Sequence, residues 1–242
     1  MKMNDPVFES MAKTLKVPSV YVAMAYKIAI EASSKFDKGD ENYCVKRIVL
    51  TGGPSSGKTT ILSALQEEFG GKVSFVPEVA TMLLSGGFPA PGKDLEWSEE
   101  WQSCLQSAVL PLQCAIEDAT YLAAKASGAK VIICDRGSLD GAAYTPEGLE
   151  HFCGKNNLSL EVELARYNAV IHLESLSVVC PEKYGNSNND TRFETLERAQ
   201  YLEKATKEAW KQHKRHTIID GKRGIDGKIA QVIGIVKYVL SE

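Results

Sequence analysis

The chain has 242 residues, 44% of them hydrophobic and 24% charged, with a net charge of −3. That is enough for one domain with a full core, or one domain with an appendage, at the composition of a soluble globular protein. The mildly acidic balance and the lack of a long basic block exclude a general nucleic-acid binder, so no nucleic-acid polymer is expected as a partner.

Residues 1–36 read as helical. "VPSVYVAMAYKIAIEASSKF" places Pro18 at a first turn and apolar residues around much of the circumference. The pattern breaks at the polar connector "DKGDEN". This sets the expected division: an N-terminal helical extension over 1–44 and a second domain over 45–242. The extension either packs on the core or serves association with a partner or a second copy, which leaves the oligomeric state open. Its most apolar stretch, Val17–Ile30, is interrupted by Lys27 and is shorter than a membrane span. The start "MKMNDPVFESMAKTLK" mixes acids with bases and lacks a compact apolar core with a cleavage site. The six cysteines form no C-x-x-C pair and no zinc-like cluster with histidine. These features predict a reducing, cytoplasmic setting.

Beyond the connector, strands and helices alternate. "RIVLTGG" is a β-branched run ending in glycines, and reads as a buried parallel strand. "KTTILSALQEEFG" is a helix with Ile61, Leu62, Leu65 and Phe69 on one face and Gly70 as its stop. "KVSFVPEVA" is a second strand running into a turn, followed by a short helix and a loop. A long helix spans "EWSEEWQSCLQSAVLPLQCAIEDATYLAAKASG", with a kink expected near Pro111. "AKVIICDRG", "AVIHLES" and "RHTIIDG" supply three more strands. In the last helix Ile225, Ile229, Val232, Ile233, Val236, Val239 and Leu240 recur at three and four residues. The alternation predicts an α/β fold of three layers around a mainly parallel, five-stranded sheet.

Between the first strand and first helix lies "GGPSSGKTT", which contains the full G-x-x-x-x-G-K-[ST] pattern in the right strand-to-helix context. Its glycines let backbone N–H groups converge on phosphate oxygens, and the helix N-terminus adds its positive end. Gly52, Gly53, Pro54, Ser55, Ser56, Gly57, Lys58, Thr59 and Thr60 are therefore the expected nucleotide-binding residues. Lys58 would bring a mobile charge to the β and γ phosphates, and the Thr59 hydroxyl would ligate Mg²⁺. The expected fold is thus of the P-loop NTPase type.

Two further segments end strands on the same edge. Glu78 follows the second strand in "FVPEVA", and Asp135-Arg136 follows "VIIC". Parallel α/β sheets place ligands at the carboxyl ends of their strands. Asp135 stands where a carboxylate helps hold Mg²⁺ through water, and Arg136 where a cation neutralises the transferred group. The plainer alternatives are a carboxylate favouring a helix dipole for Glu78 and an internal salt bridge for Asp135-Arg136.

"VPE" and "DRG" in this order resemble the nucleoside and nucleotide kinases of the P-loop class. The resemblance implies that Glu78 faces the acceptor hydroxyl as general base or orienting group, and that Arg136 faces phosphate. A closer resemblance covers nearly all of 46–237. "LTGGPSSGKTT", "VPEVATMLLSGGF", "VIICDRGSLDGAAY", "RYNAVIHLES" and "HTIIDG" are similar in order and spacing to the NadR/TRPL-translocation-defect group of P-loop ATPases. That group holds bacterial kinase-like members, among them a ribosylnicotinamide kinase relative. It also has an animal branch that binds GTP and phosphoinositide and acts in channel trafficking.

In such kinases a lid closes over the nucleotide and inserts arginines at the γ phosphate. The corresponding stretch here is "NSNNDTRFETLERAQYLEKATKEAW", with Arg192 and Arg198. Six residues is not a one-face helical spacing, so one of the two is expected to be structural; Arg192 is the better phosphate arginine. From Arg198 to Lys228 there are nine Lys/Arg and four Asp/Glu. The tract is either a solvated face, a phosphate or base contact near "IIDGKRG", or a contact for an anionic lipid surface. His172 is expected to be packed. Asp140 and Tyr144, with Phe88, Trp97 and Trp101, are candidates to line an acceptor pocket.

Three functions are compatible with these features. The first is a kinase using ATP and Mg²⁺ on a small-molecule phosphoryl acceptor. The second is a GTP- or ATP-dependent regulator that binds a partner or lipid. The third, a ring-forming mechanical ATPase, is opposed by Arg136, which stands where such machines carry a hydrolytic Glu. No N-K-x-D guanine motif is present, which favours ATP, with GTP as the alternative.

Overall fold

The structure, a computed structural model, describes residues 44–92, 95–184 and 195–242. The expected helix within 1–36, Arg192 and the polar cluster around it lie outside the described residues.

Five strands form one sheet: β1 (Lys46–Thr51), β2 (Val73–Val76), β3 (Val131–Asp135), β4 (Ala169–Leu173) and β5 (His216–Ile219). Their order is β2-β3-β1-β4-β5, and every pairing is parallel. The central strand β1 is buried on both faces, which explains its unbroken apolar run rather than an alternating one. Ile48 and Leu50 join Val131, Ile133, Ile171 and Leu173 in a core closed by two helices. These are α1 (Lys58–Phe69), through Ile61, Leu65 and Phe69, and the C-terminal helix, through Val232, Val236 and Val239. Burial of each such side chain is worth about 1.5–3 kcal/mol.

The opposite face is covered by α3 (Glu99–Ser127), which follows the short α2 (Val79–Ser85) and packs on β2 and β3. The α3 helix is capped by the Ser98 hydroxyl, which accepts from the Trp101 amide, and stops at Gly128 in the left-handed region (φ 81°). It runs through Pro111 as one continuous helix.

Residues 145–165, for which no element is expected from the residue pattern, hold two short helices, α4 (Gly148–Lys155) and α5 (Leu160–Ala165). At this length an apolar period barely repeats once, so it carries little signal. After β4 come the single turn α6 (Leu176–Val179), α7 (Leu196–Trp210), β5 and the terminal α8 (Gly224–Ser241). No helix among the described residues is long and apolar enough to cross a membrane.

Candidate functional site

The carboxyl end of β1 runs into the loop at Gly52, whose φ of 142° suits glycine. An added Cβ would also overlap the Leu173 carbonyl oxygen. Gly57, in the left-handed region (φ 92°), ends the loop and starts α1 with no side-chain cap. Between them the carbonyls are tied down one after another. The Lys58 ammonium donates to the Gly52 and Gly53 carbonyls at 3.1 and 3.4 Å. The Ser175 hydroxyl donates to the Pro54 carbonyl. The Leu176 amide donates to Ser55 at 3.3 Å, and the Lys228 ammonium to Ser56 at 3.0 Å. With the carbonyls held by the protein, the N–H groups remain for a ligand: those of Ser55 to Thr59 find no acceptor among the described residues. A row of orphan amides at a helix N-terminus is an anion site.

Around this loop three strand ends converge. Glu78 is the N-cap residue of α2, yet its side chain does not cap the helix. Instead Arg136 Nε donates to Glu78 Oε1 and the Thr81 hydroxyl to Oε2, both at 2.6 Å. Burial pushes the Glu78 carboxyl up, but Arg136, Lys58 and the two hydrogen bonds outweigh it and bring it down to about 2. Asp135 behaves oppositely. Burial dominates, with Glu78 and Asp140 adding to it, and Asp135 is pushed up to about 6 despite Lys58 and Arg136. Its Oδ1 is buried without a hydrogen-bond partner. Lys58 is lowered to about 8, chiefly by burial and then by Arg136. These mutual influences make Lys58, Glu78, Asp135 and Arg136 one electrostatic cluster.

Arg136 holds an unusual backbone for a non-glycine residue, with φ 71°. Such a conformation costs of order 1–3 kcal/mol and persists only where its surroundings over-determine it. Here they do. The Arg136 amide donates to Leu50 at 3.0 Å, and its carbonyl accepts from Gln113 Nε2 at 3.1 Å. Gln113 also donates to Glu117, a fully buried carboxylate that accepts from the Tyr167 hydroxyl as well. Tyr167 in turn accepts from the Ser138 amide.

Among the described residues no group of three His, Cys, Asp or Glu side chains is placed to hold a metal alone. Mg²⁺ on phosphate sites instead takes one or two protein oxygens, phosphate and water. The orphaned Asp135 oxygen and the exposed Thr59 at the start of α1 fit that mode.

Other expected residues fall elsewhere. Asp140 does not line an open pocket. It is 3% exposed, and it accepts from the Thr51 hydroxyl, the Gly137 amide and Trp210 Nε1. Tyr144 does reach a cavity of about 240 Å³, shared with Trp97, Gln106, Lys155 and Arg198. Trp101 instead donates to the Pro89 carbonyl. Arg198 lies in the first turn of α7 and stacks its guanidinium 5.0 Å from the Tyr201 ring. Lys228, counted in the basic tract, is buried beneath the phosphate loop. His172 is fully buried, as expected. His213 is buried too, with Nε2 on the Tyr167 carbonyl and Nδ1 accepting from the Arg215 amide.

Residues that support the loop from below, Glu203, Lys228 and Ser175, were missed. Each comes from an element distant in sequence and carries no local pattern. Ser175, after "HLE", and a lone Glu within an amphipathic helix give no signal without the fold.

No curated protein matches the chain significantly. A family model described as an AAA domain matches residues 47–227, more than half of the chain, and takes in the phosphate loop, Glu78 and Asp135-Arg136. With its parallel sheet and its tied-down G-x-x-x-x-G-K-T loop, the chain belongs to this AAA domain family of the P-loop NTPase type.

Proposed function

We propose that the chain is a small-molecule kinase: it takes ATP with Mg²⁺ and moves the γ-phosphoryl group to a hydroxyl- or phosphate-bearing acceptor of nucleoside or nucleotide type. The observation that carries this reading is the convergence of Glu78 and Arg136, from two different strand ends, on the charge cluster of Lys58 and Asp135. A phosphate-binding loop alone needs no such second group.

In the transfer the acceptor oxygen bonds to the γ-phosphorus as the bridging bond to ADP breaks, and ADP leaves with that electron pair. Most of the protein's work is positioning and charge stabilisation. The amides of Ser55 to Thr59 and the Lys58 ammonium hold the phosphates. Thr59 and Asp135 would hold Mg²⁺, which would neutralise phosphate charge. Arg136 carries its cation at the border between donor and acceptor. Glu78, with a carboxyl near 2, is a poor proton acceptor; its role is to orient the acceptor by accepting its O–H. The proton is released late, as the new bond forms, and passes to an oxygen of the transferred phosphoryl group or to water. The acceptor side is assigned to the cavity bounded by Tyr144, Trp97 and Arg198, whose Tyr144 follows Arg136 by eight residues along the chain. Arg136, where a hydrolytic carboxylate would stand, speaks against a ring-type mechanical ATPase.

The test is incubation with ATP and Mg²⁺ and a panel of nucleosides and nucleoside monophosphates, with phosphorylated product read by mass spectrometry. Stoichiometric ADP and phosphorylated acceptor are expected. ADP and inorganic phosphate at one acceptor-independent rate would refute the kinase reading.

A further inference from the structure

The motif explains one of the two adjacent glycines after β1 and leaves the other open. Gly52 is fixed by its φ and by the Leu173 carbonyl. Gly53 occupies a position that the G-x-x-x-x-G-K-[ST] pattern leaves to any residue, and its φ is outside the left-handed region. Its reason lies across the loop. A Cβ on Gly53 would sit 2.8 Å from Glu203 Oε2 and 3.1 Å from the Glu203 Cα and Cβ. Gly53 is glycine because α7 passes there.

Glu203 is 2% exposed, and both of its oxygens are engaged. Oε2 accepts from the Gly53 amide at 2.8 Å. Oε1 meets His172 Nε2 at 2.7 Å. His172 lies in β4 in register with Thr51, the last residue of β1 before the loop. A buried carboxylate is costly unless its bonds are complete. This one is completed by the loop on one side and the sheet on the other.

We infer that Glu203 is a positioning residue for the phosphate loop, and that His172 holds Glu203 in place. By taking the Gly53 amide from behind, Glu203 fixes the first turn of the loop, so that the amides from Ser55 onward face the phosphates. The same helix carries Arg198 in its first turn and Trp210, bonded to Asp140, at its end. Loop, cavity wall and the Asp140 anchor therefore share one rigid support. The inference rests on the reading of this loop as the phosphate site.

The test has two arms. In the first, amide hydrogen exchange is measured on the ligand-free wild-type protein. The Gly53 amide should exchange much more slowly than those of Ser56 and Gly57; equal rates would overturn the inference. In the second, Glu203→Gln keeps the size of the side chain and removes its charge. Calorimetry at a temperature where melts show the variant folded should give a Kd for ATP with Mg²⁺ raised about tenfold, the scale of one lost charged hydrogen bond. Gly53 exchange should accelerate in parallel. A merely structural Glu203 would lower the melting temperature and leave Kd and Gly53 exchange of the folded protein unchanged, and that result would also overturn the inference. If wild-type protein binds no ATP, the nucleotide reading fails by itself, and the Gly53 exchange rates still decide the role of Glu203.

Discussion

The two halves of the site are built differently. On the donor side, the carbonyls of Gly52 to Ser56 are each tied to a side chain or amide from α1, α6 with its N-cap Ser175, or α8, and one amide is tied to α7. On the acceptor side, the Glu78 and Arg136 side chains meet in an ion pair, with the Thr81 hydroxyl on Glu78 and Asp140 3.5 Å from Arg136, and both remain partly exposed. The donor half is pre-organised by backbone. The acceptor half is an ion pair that substrate can reorganise by offering its own hydroxyl and phosphate. A rigid cradle with an adaptable partner side suits a fixed donor and a selected acceptor.

The contrast predicts where each half breaks. The largest effect is expected from Lys58→Met. It removes the charge at the phosphates and two carbonyl ties of the loop, and phosphotransfer should fall by at least ~10²–10³-fold in a coupled ADP assay. Gly52→Ala attacks the same half through the backbone. The left-handed strain and the overlap with Leu173 should cost about 2–4 kcal/mol, read as a lower urea midpoint.

Asp135→Asn separates stability from function. In the folded protein Asp135 holds its proton up to about pH 6, against an ordinary carboxyl value of 3.8. A raised carboxyl pKa means stability is lost as pH rises from about 3.8 through 6. The amide, free of that penalty, should melt higher than wild type at pH 7. The gap should close towards pH 4, and Mg²⁺-dependent activity should be lost. The smallest effect concerns His216, which burial, then His172, His213 and Lys207, bring down to about 4. Its folded value lies below the unfolded one, so stability is lost as pH falls from 6.5 towards 4. His216→Phe should flatten that part of a melting-temperature profile.

Much of this was legible in the sequence because it is local. The loop is a contiguous pattern, the buried strands are contiguous apolar runs, and the helices α1, α3 and α8 are long enough for their period to repeat. That Glu78 and Asp135-Arg136 lie together could be expected because the carboxyl ends of parallel strands share one edge. What lay hidden depends on tertiary neighbours. Asp140 looked like a pocket residue, but its environment is set by Thr51, Gly137 and Trp210, two of them far away in sequence. Lys228 looked like part of a basic tract, yet it ends under the loop. Glu78 showed that two readings can meet: it is a helix N-cap residue by position and the partner of Arg136 by side chain. Arg192 lies outside the described residues, so the lid arginine remains an expectation.

The central claim is that Glu78 serves the acceptor and not the nucleotide. Glu78→Gln keeps the shape of the side chain and removes its charge, and the most direct measurement is to follow ATP affinity and phosphotransfer on this one variant. The account predicts a Kd for ATP with Mg²⁺ close to that of wild type and transfer to the acceptor all but abolished. Loss of nucleotide binding, or a failure to fold, would mean that Glu78 is a structural partner of Arg136 and would contradict the account.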